Sequence, residues 1–232
     1  MGTPPLKVVI LQPSYIPWRG YFHQIQKADL FVFYDDVQYD KHGWRNRNRI
    51  KTPAGSRWIT IPALSGGASV DHLLIKDIKI DWAKEWSNSH WQILRQNYRE
   101  APWFSRYAPF LESFYQRHDE FLADFTIDLT IALARELGID TRFMRSSTLN
   151  AQGTKTDRLL DILTQVGATH YISGPSARGY LDEVKLAQAA ITLEYMTYQY
   201  PDYPQLHPPF DPQVSILDLL FMMGPEAADY IW

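Results

Sequence analysis

Residues 41–57 carry six basic side chains (Lys41, Arg45, Arg47, Arg49, Lys51 and Arg57) and no acidic one, in a chain of formal net charge -3. If Arg45, Arg47 and Arg49 alternate along a strand, all three point to one side, and Asn46 and Asn48 point to the other. Three guanidinium forks on one face suit a phosphate or a carboxylate. The structural alternative is a solvated edge strand protected by its charge. Trp44 stands beside these arginines, and with Tyr15 and Trp18 it offers rings that could stack on a base or a sugar.

A second candidate is Gln12-Pro-Ser-Tyr-Ile-Pro-Trp-Arg-Gly-Tyr-Phe22, which joins an apolar run to a helical pattern. Gln12, Ser14, Tyr15 and Arg19 could supply hydrogen bonds, and Gly20 lets backbone come close. Free N–H groups at the start of the following helix would favour an anion. Without a ligand, the same stretch is a proline-stiffened connection. Asp35-Asp36 could hold a divalent cation, but pairing with the nearby arginines is the preferred reading, and no metal site is assigned. The third candidate combines Lys155 and Asp157 with Ser173, Gly174, Ser176 and Arg178. A Gly-Pro turn after a strand could hold an anion there. Alternatively, Thr154 and Asp157 only cap a helix. Cysteine is absent, so no thiol nucleophile exists. His23 or His42 could serve as general base near neutral pH, whereas His170, inside a strand pattern, reads as structural.

The elements that must position these residues follow from pattern. Lys7–Leu11 is a β-branched strand, residues 20–28 a helix, and residues 30–34 a second strand. Strand, helix, strand at this spacing predicts a parallel βαβ unit. Strands are expected over 57–64 and 73–80. Helices are expected over 81–98, 107–118 and 120–137, followed by a strand over 141–145. A helix from Thr154 to Val166 ends at Gly167, and His170–Ser173 and residues 191–198 are strands. Residues 215–223 form a last helix with Ser215 as its N-cap. This order predicts an α/β fold in one domain, 1–232. Its sheet is mostly parallel with flanking helices, Rossmann-like, with a helical middle insert over 81–140. If the His170–Ser173 strand lies parallel to Lys7–Leu11, the loops after both open on one edge.

Composition narrows the classes. The chain has 232 residues, 45% hydrophobic, which argues against disorder. The absence of cysteine excludes disulfides and thiolate zinc sites. No apolar run is long enough for a membrane helix, and the opening Met1-Gly-Thr-Pro-Pro lacks a secretory signal, so a cytoplasmic location without integral membrane association is expected. The acidic balance argues against general nucleic-acid binding. Aromatic residues make up 14% of the chain, enough to build a core and still line a ligand pocket.

The opening KVVILQPSYIPWRGYFHQIQKADLFVFYDDVQY, the RNRNRIK segment, TKTDRLLDI, HYISGPSARGYLD and SILDLLFMMG together resemble the WbqC-like protein family, over nearly the whole chain. The resemblance implies a role alongside bacterial surface-polysaccharide (O-antigen) genes and leaves the reaction open. A fainter likeness is to nucleotidyltransferase-like α/β folds, which carry a His-x-Gly-His element at the same strand–helix junction. Here that stretch is Trp18-Arg19-Gly20-Tyr21, with neither histidine. The residues and the resemblance together lean towards a transferase of surface-glycan (lipopolysaccharide) biosynthesis. It would move an acyl, aminoacyl or nucleotidyl group to an amino- or nucleotide-linked sugar. The expected partner is a small anionic molecule such as a nucleotide sugar; no motif names a cofactor, and a homo-oligomer is compatible with the chain. The alternative is a non-catalytic sugar-nucleotide-binding or assembly protein.

Overall fold

A computed structural model describes residues 5–64 and 72–232. Five short strands pair in it as one parallel sheet: β1 (Lys7–Leu11), β2 (Leu30–Phe33), β7 (Arg142–Arg145), β8 (His170–Ser173) and β9 (Thr192–Tyr195), in the order β7-β2-β1-β8-β9. Period two explains why the central strands are apolar throughout. Val9, Phe31, Phe33 and Ile172 face one core, while Val8, Ile10, Val32 and Tyr171 face another. The register aligns Val9 with both Phe31 and Ile172.

Helices cover both faces. α1 (Arg19–Lys27) and α4 (Leu122–Glu136) bury Phe22, Ile25, Phe125 and Leu129 in the larger core. α5 (Lys155–Gln165) and α6 (Glu183–Gln188) bury Leu159, Ile162 and Leu186 in the smaller one. Gly138 and Gly167, both at φ 73, close α4 and α5 in the left-handed conformation that glycine adopts without strain. α2 (Trp86–Tyr98), α3 (Phe104–Tyr115) and α7 (Ile216–Met223) extend the larger core through rings, with Trp91 on Phe104 and Tyr98 on Phe221. Ser215 caps α7, its Oγ accepting from the Leu217 N–H.

Several sequence expectations are corrected. The strand expected over 57–64 is two pieces. β3 (Arg47–Thr52) and β4 (Gly55–Thr60) form an antiparallel hairpin, and Pro62 separates β4 from β5 (Ala63–Leu64), which pairs with β6 (Lys79–Ile80). The rest of the strand expected over 73–80 is a 3-10 turn at Ile75–Asp77, tied to the chain after β2 by Lys76 N–H to the Asp35 carbonyl. Ile75 and Ile78, three residues apart and both buried, fit a turn better than an alternating strand. The first helix after β6 begins at Trp86, not at 81, and α3 starts at Phe104, three residues before the expected 107. The Thr154 hydroxyl makes no capping bond; the Asp157 carboxylate instead takes the Lys185 ammonium at 2.5 Å.

Candidate functional site

Along the chain the sheet grows outward from β1 to β2 and β7, then returns to the other side of β1 with β8 and β9. The direction reverses between β1 and β8, where the two following loops part and leave a crevice outside the carboxyl ends of the strands. A cavity of about 1000 Å³ lies there. It is lined by Ile10 and Leu11 at the end of β1 and by Tyr171 of β8, together with the loop after β1 and the turn after β8. A second, shallower hollow of about 1090 Å³ lies at the opposite, amino edge of the sheet, lined by Leu6, Asp29 and Arg142 among others.

The first loop keeps its shape because the hairpin holds it. Ile16 sits at φ 38, an uncommon conformation for a β-branched residue. Asn48, on the inward face of β3, donates to the carbonyls of Tyr15 at 3.0 Å and Ile16 at 2.8 Å. The Tyr15 N–H returns a bond to the Trp44 carbonyl. These ties bring Gln12, Ser14, Pro17 and Trp18 from the loop against Trp44, Arg45 and Asn48 from the hairpin. From the far side come Lys155, Leu159, Ser176, Gly179 and Tyr180.

Arg45 is the central cation. Its Nη1 donates to Gln12 Oε1 at 2.6 Å, its Nε has no partner, and no carboxylate lies within 4.0 Å of it among the described residues. Burial pulls its pKa down, opposed by the neighbouring Tyr21 and Asp40, yet a guanidinium keeps its proton. Burial raises the pKa values of Tyr21, Tyr34 and Tyr171, so these hydroxyls remain neutral. No histidine, aspartate or glutamate is among the residues lining the cavity. Among the described residues the site is therefore a ring-lined, cation-bearing pocket with no carboxylate or imidazole at its wall.

Of the residues singled out from sequence, Gln12, Ser14, Trp18, Trp44, Arg45, Lys155 and Ser176 meet at this cavity. The others lie elsewhere. Tyr15 is wholly buried, its hydroxyl bonded to His90 Nδ1 at 2.9 Å and to Tyr115 at 2.6 Å. The Arg19 guanidinium turns into the fold, donating to the Pro201 and Tyr230 carbonyls. Gly20 lies under the Trp18 indole, which a Cβ there would strike. Arg47 and Arg49 share the outer face of the hairpin with Trp58; Arg47 donates to the His42 and Gly43 carbonyls, and Arg49 to Gln213. Asp157 pairs with Lys185, and Arg178 covers the Tyr195 ring at 4.0 Å. Ser173 is buried against Tyr171, and Gly174 lies beside Tyr198. His23 bonds the Tyr200 hydroxyl, and His42 is exposed on the hairpin loop, its N–H on Asp40.

Asp35 and Asp36 pair with arginines, but not with those of residues 45–49. Asp35 binds Arg145 at 2.6 Å and Asp36 binds Arg158 at 2.5 Å. Among the described residues no group of three or more His, Asp or Glu is arranged to hold a metal ion. Sequence reasoning missed Tyr34, Asn48, Tyr171, Tyr180 and Gln213. Tyr34 directly follows a strand, and Asn48 alternates with the arginines, so both carried a signal. Gln213 did not.

The fold and site define an α/β protein with a doubly wound parallel sheet and a ligand-sized crevice at its switch point. The chain belongs to the WbqC-like protein family, which matches residues 12–230. It is similar to an uncharacterized Mycobacterium tuberculosis protein, Rv1507c, at 44% identity over 228 residues, covering 97% of each chain. No solved structure matches it. No helix of the described residues is long and apolar enough to cross a membrane.

Proposed function

We propose that the crevice between β1 and β8 binds a nucleotide or nucleotide-linked sugar through its anionic group, and that the protein transfers an acyl, aminoacyl or nucleotidyl group in bacterial surface-polysaccharide biosynthesis. The observation that carries the reading is Arg45, held without a carboxylate partner among the described residues, inside a pocket of rings at the sheet's switch point. Lys155 adds a second cation across the cavity, and Trp18, Trp44 and Tyr171 supply faces for a base or sugar. The strand order, third-second-first-fourth-fifth in chain sequence, is compatible with a nucleotidyltransferase-like ancestry.

One observation favours a second reading, binding without catalysis. Neither His23 nor His42 lines the pocket, and among the described residues no other imidazole or carboxylate does. A transferase built this way would work by positioning and charge stabilisation, with the acceptor's own amine as nucleophile. Calorimetric titration with a panel of nucleotide sugars tests the binding that both readings share. Arg45→Ala should weaken the best ligand about tenfold or more, as expected for one charge-assisted bond. Unchanged affinity in that variant would count against the site.

A further inference from the structure

Outside the cavity, the hairpin carries an exposed aromatic shelf. Trp44 and Trp58 are 42% and 44% exposed, with ring centroids 5.0 Å apart and planes tilted by 37°. A single exposed indole is ordinary, but two in contact form a contiguous apolar patch of the kind that marks an interaction site. The register pairs Arg49 with Trp58, so Arg47 and Arg49 stand on the same face of the hairpin as Trp58. Their guanidinium carbons lie 4.6 Å and 5.7 Å from the Trp58 ring centre. Arg47 has no carboxylate within 4.0 Å among the described residues, and Arg49 reaches only Asp211, at 4.0 Å. The shelf thus joins two half-exposed, mutually packed indoles to a net positive charge.

It is also continuous with the pocket. Trp44 lines the cavity and touches Trp58, and Gln213 lines the cavity while accepting from Arg49. A ligand on the shelf would lie at the mouth of the crevice. We infer that the Trp44–Trp58 shelf is a binding subsite for an anionic saccharide, whose C–H faces would stack on the indoles while Arg47 and Arg49 meet its carboxylate or phosphate. A nucleic acid fits less well, because the positive charge is one short patch on an acidic chain and does not continue as a stripe. Resting on the reading of the pocket as a nucleotide-sugar site, the shelf would be the acceptor side, with Trp44 at the boundary of the two ligands.

The test titrates the full chain with hexagalacturonate, with neutral maltohexaose, with an oligothymidylate and with the nucleotide-sugar panel, following calorimetry and tryptophan fluorescence. Hexagalacturonate is expected to bind and quench fluorescence, more tightly than maltohexaose. Trp58→Ala and Arg47→Ala are each expected to weaken it about tenfold, leaving nucleotide-sugar affinity and thermal unfolding unchanged. Equal affinity for hexagalacturonate in wild type and Trp58→Ala, or binding of the oligothymidylate alone, would overturn the subsite. Shelf binding with no nucleotide sugar bound anywhere would uphold the subsite and overturn the reading of the pocket.

Discussion

Asn48 donates to the carbonyl of Ile16 at 2.8 Å, and Ile16 is the residue of the first loop that sits at positive φ. The hairpin therefore holds the strained corner on which the pocket wall turns. Asn48→Ala would leave two buried carbonyls without donors and should lower stability by about 2–3 kcal/mol in urea denaturation. Asn48→Asp should be worse, since a carboxylate would face those carbonyls. A loss below about 0.5 kcal/mol in both would mean that the loop holds its own shape.

Gly20 sets two effects against each other. In an exposed helix, replacing glycine by alanine gains roughly 0.5–1 kcal/mol. Here the new Cβ would collide with the Trp18 indole, and overpacking costs about 1–3 kcal/mol. The clash should win: Gly20→Ala is expected to unfold at lower temperature and to weaken ligand binding through the displaced ring. A higher melting temperature would show that the indole yields freely.

Burial lowers the pKa of His90 to about 4, helped by Arg57 and opposed by the hydrogen-bonded backbone of Thr60. Since the unfolded ring titrates near about 6.5, the unfolded chain binds the extra proton between these values. The stability linked to the neutral ring is complete above that range and is lost as pH falls through it, by about 3 kcal/mol at pH 4. Chemical denaturation at stepped pH should show a shallower decline for His90→Asn than for the wild type. Parallel pH curves would assign the acid sensitivity to other groups.

His23 bonds Tyr200, and burial and Lys27 lower its pKa, which Glu194 partly restores. Neither it nor His42 reaches the cavity. His23→Ala and His42→Ala should each bind nucleotide sugars within about twofold of wild type. A tenfold loss in either would return that imidazole to the site and favour base catalysis.

The sheet was legible because its first two strands are short apolar runs and its last, Thr192–Tyr195, alternates polar with apolar residues. Parallel pairing of Lys7–Leu11 with Leu30–Phe33 followed from spacing, whereas pairing with His170–Ser173 stood only as a condition, which the register meets. Residues 73–80 misled because Leu73, Ile75, Ile78 and Ile80 are consistent with either a strand or a turn, and contacts with the chain after β2 decide it. The arginine face was half legible. Asn46 and Asn48 do turn inward, to the Ile61 carbonyl and the first loop. Arg45, however, precedes the strand and bends into the cavity, while Arg47 and Arg49 stay outside it. Tyr15 and Arg19 looked like ligands because they are polar and sit in the right loop. Their partners, His90, Tyr115 and the Pro201 carbonyl, lie 75, 100 and 182 residues away, beyond any local pattern.

The most direct measurement is a crystal structure of the chain with the tightest nucleotide sugar from the calorimetric panel. The account predicts density in the crevice between β1 and β8, with a phosphate within hydrogen-bond distance of the Arg45 guanidinium and a ring against Trp18, Trp44 or Tyr171. A ligand at the amino edge of the sheet beside Asp29 and Arg142, with the crevice holding only water, would contradict it.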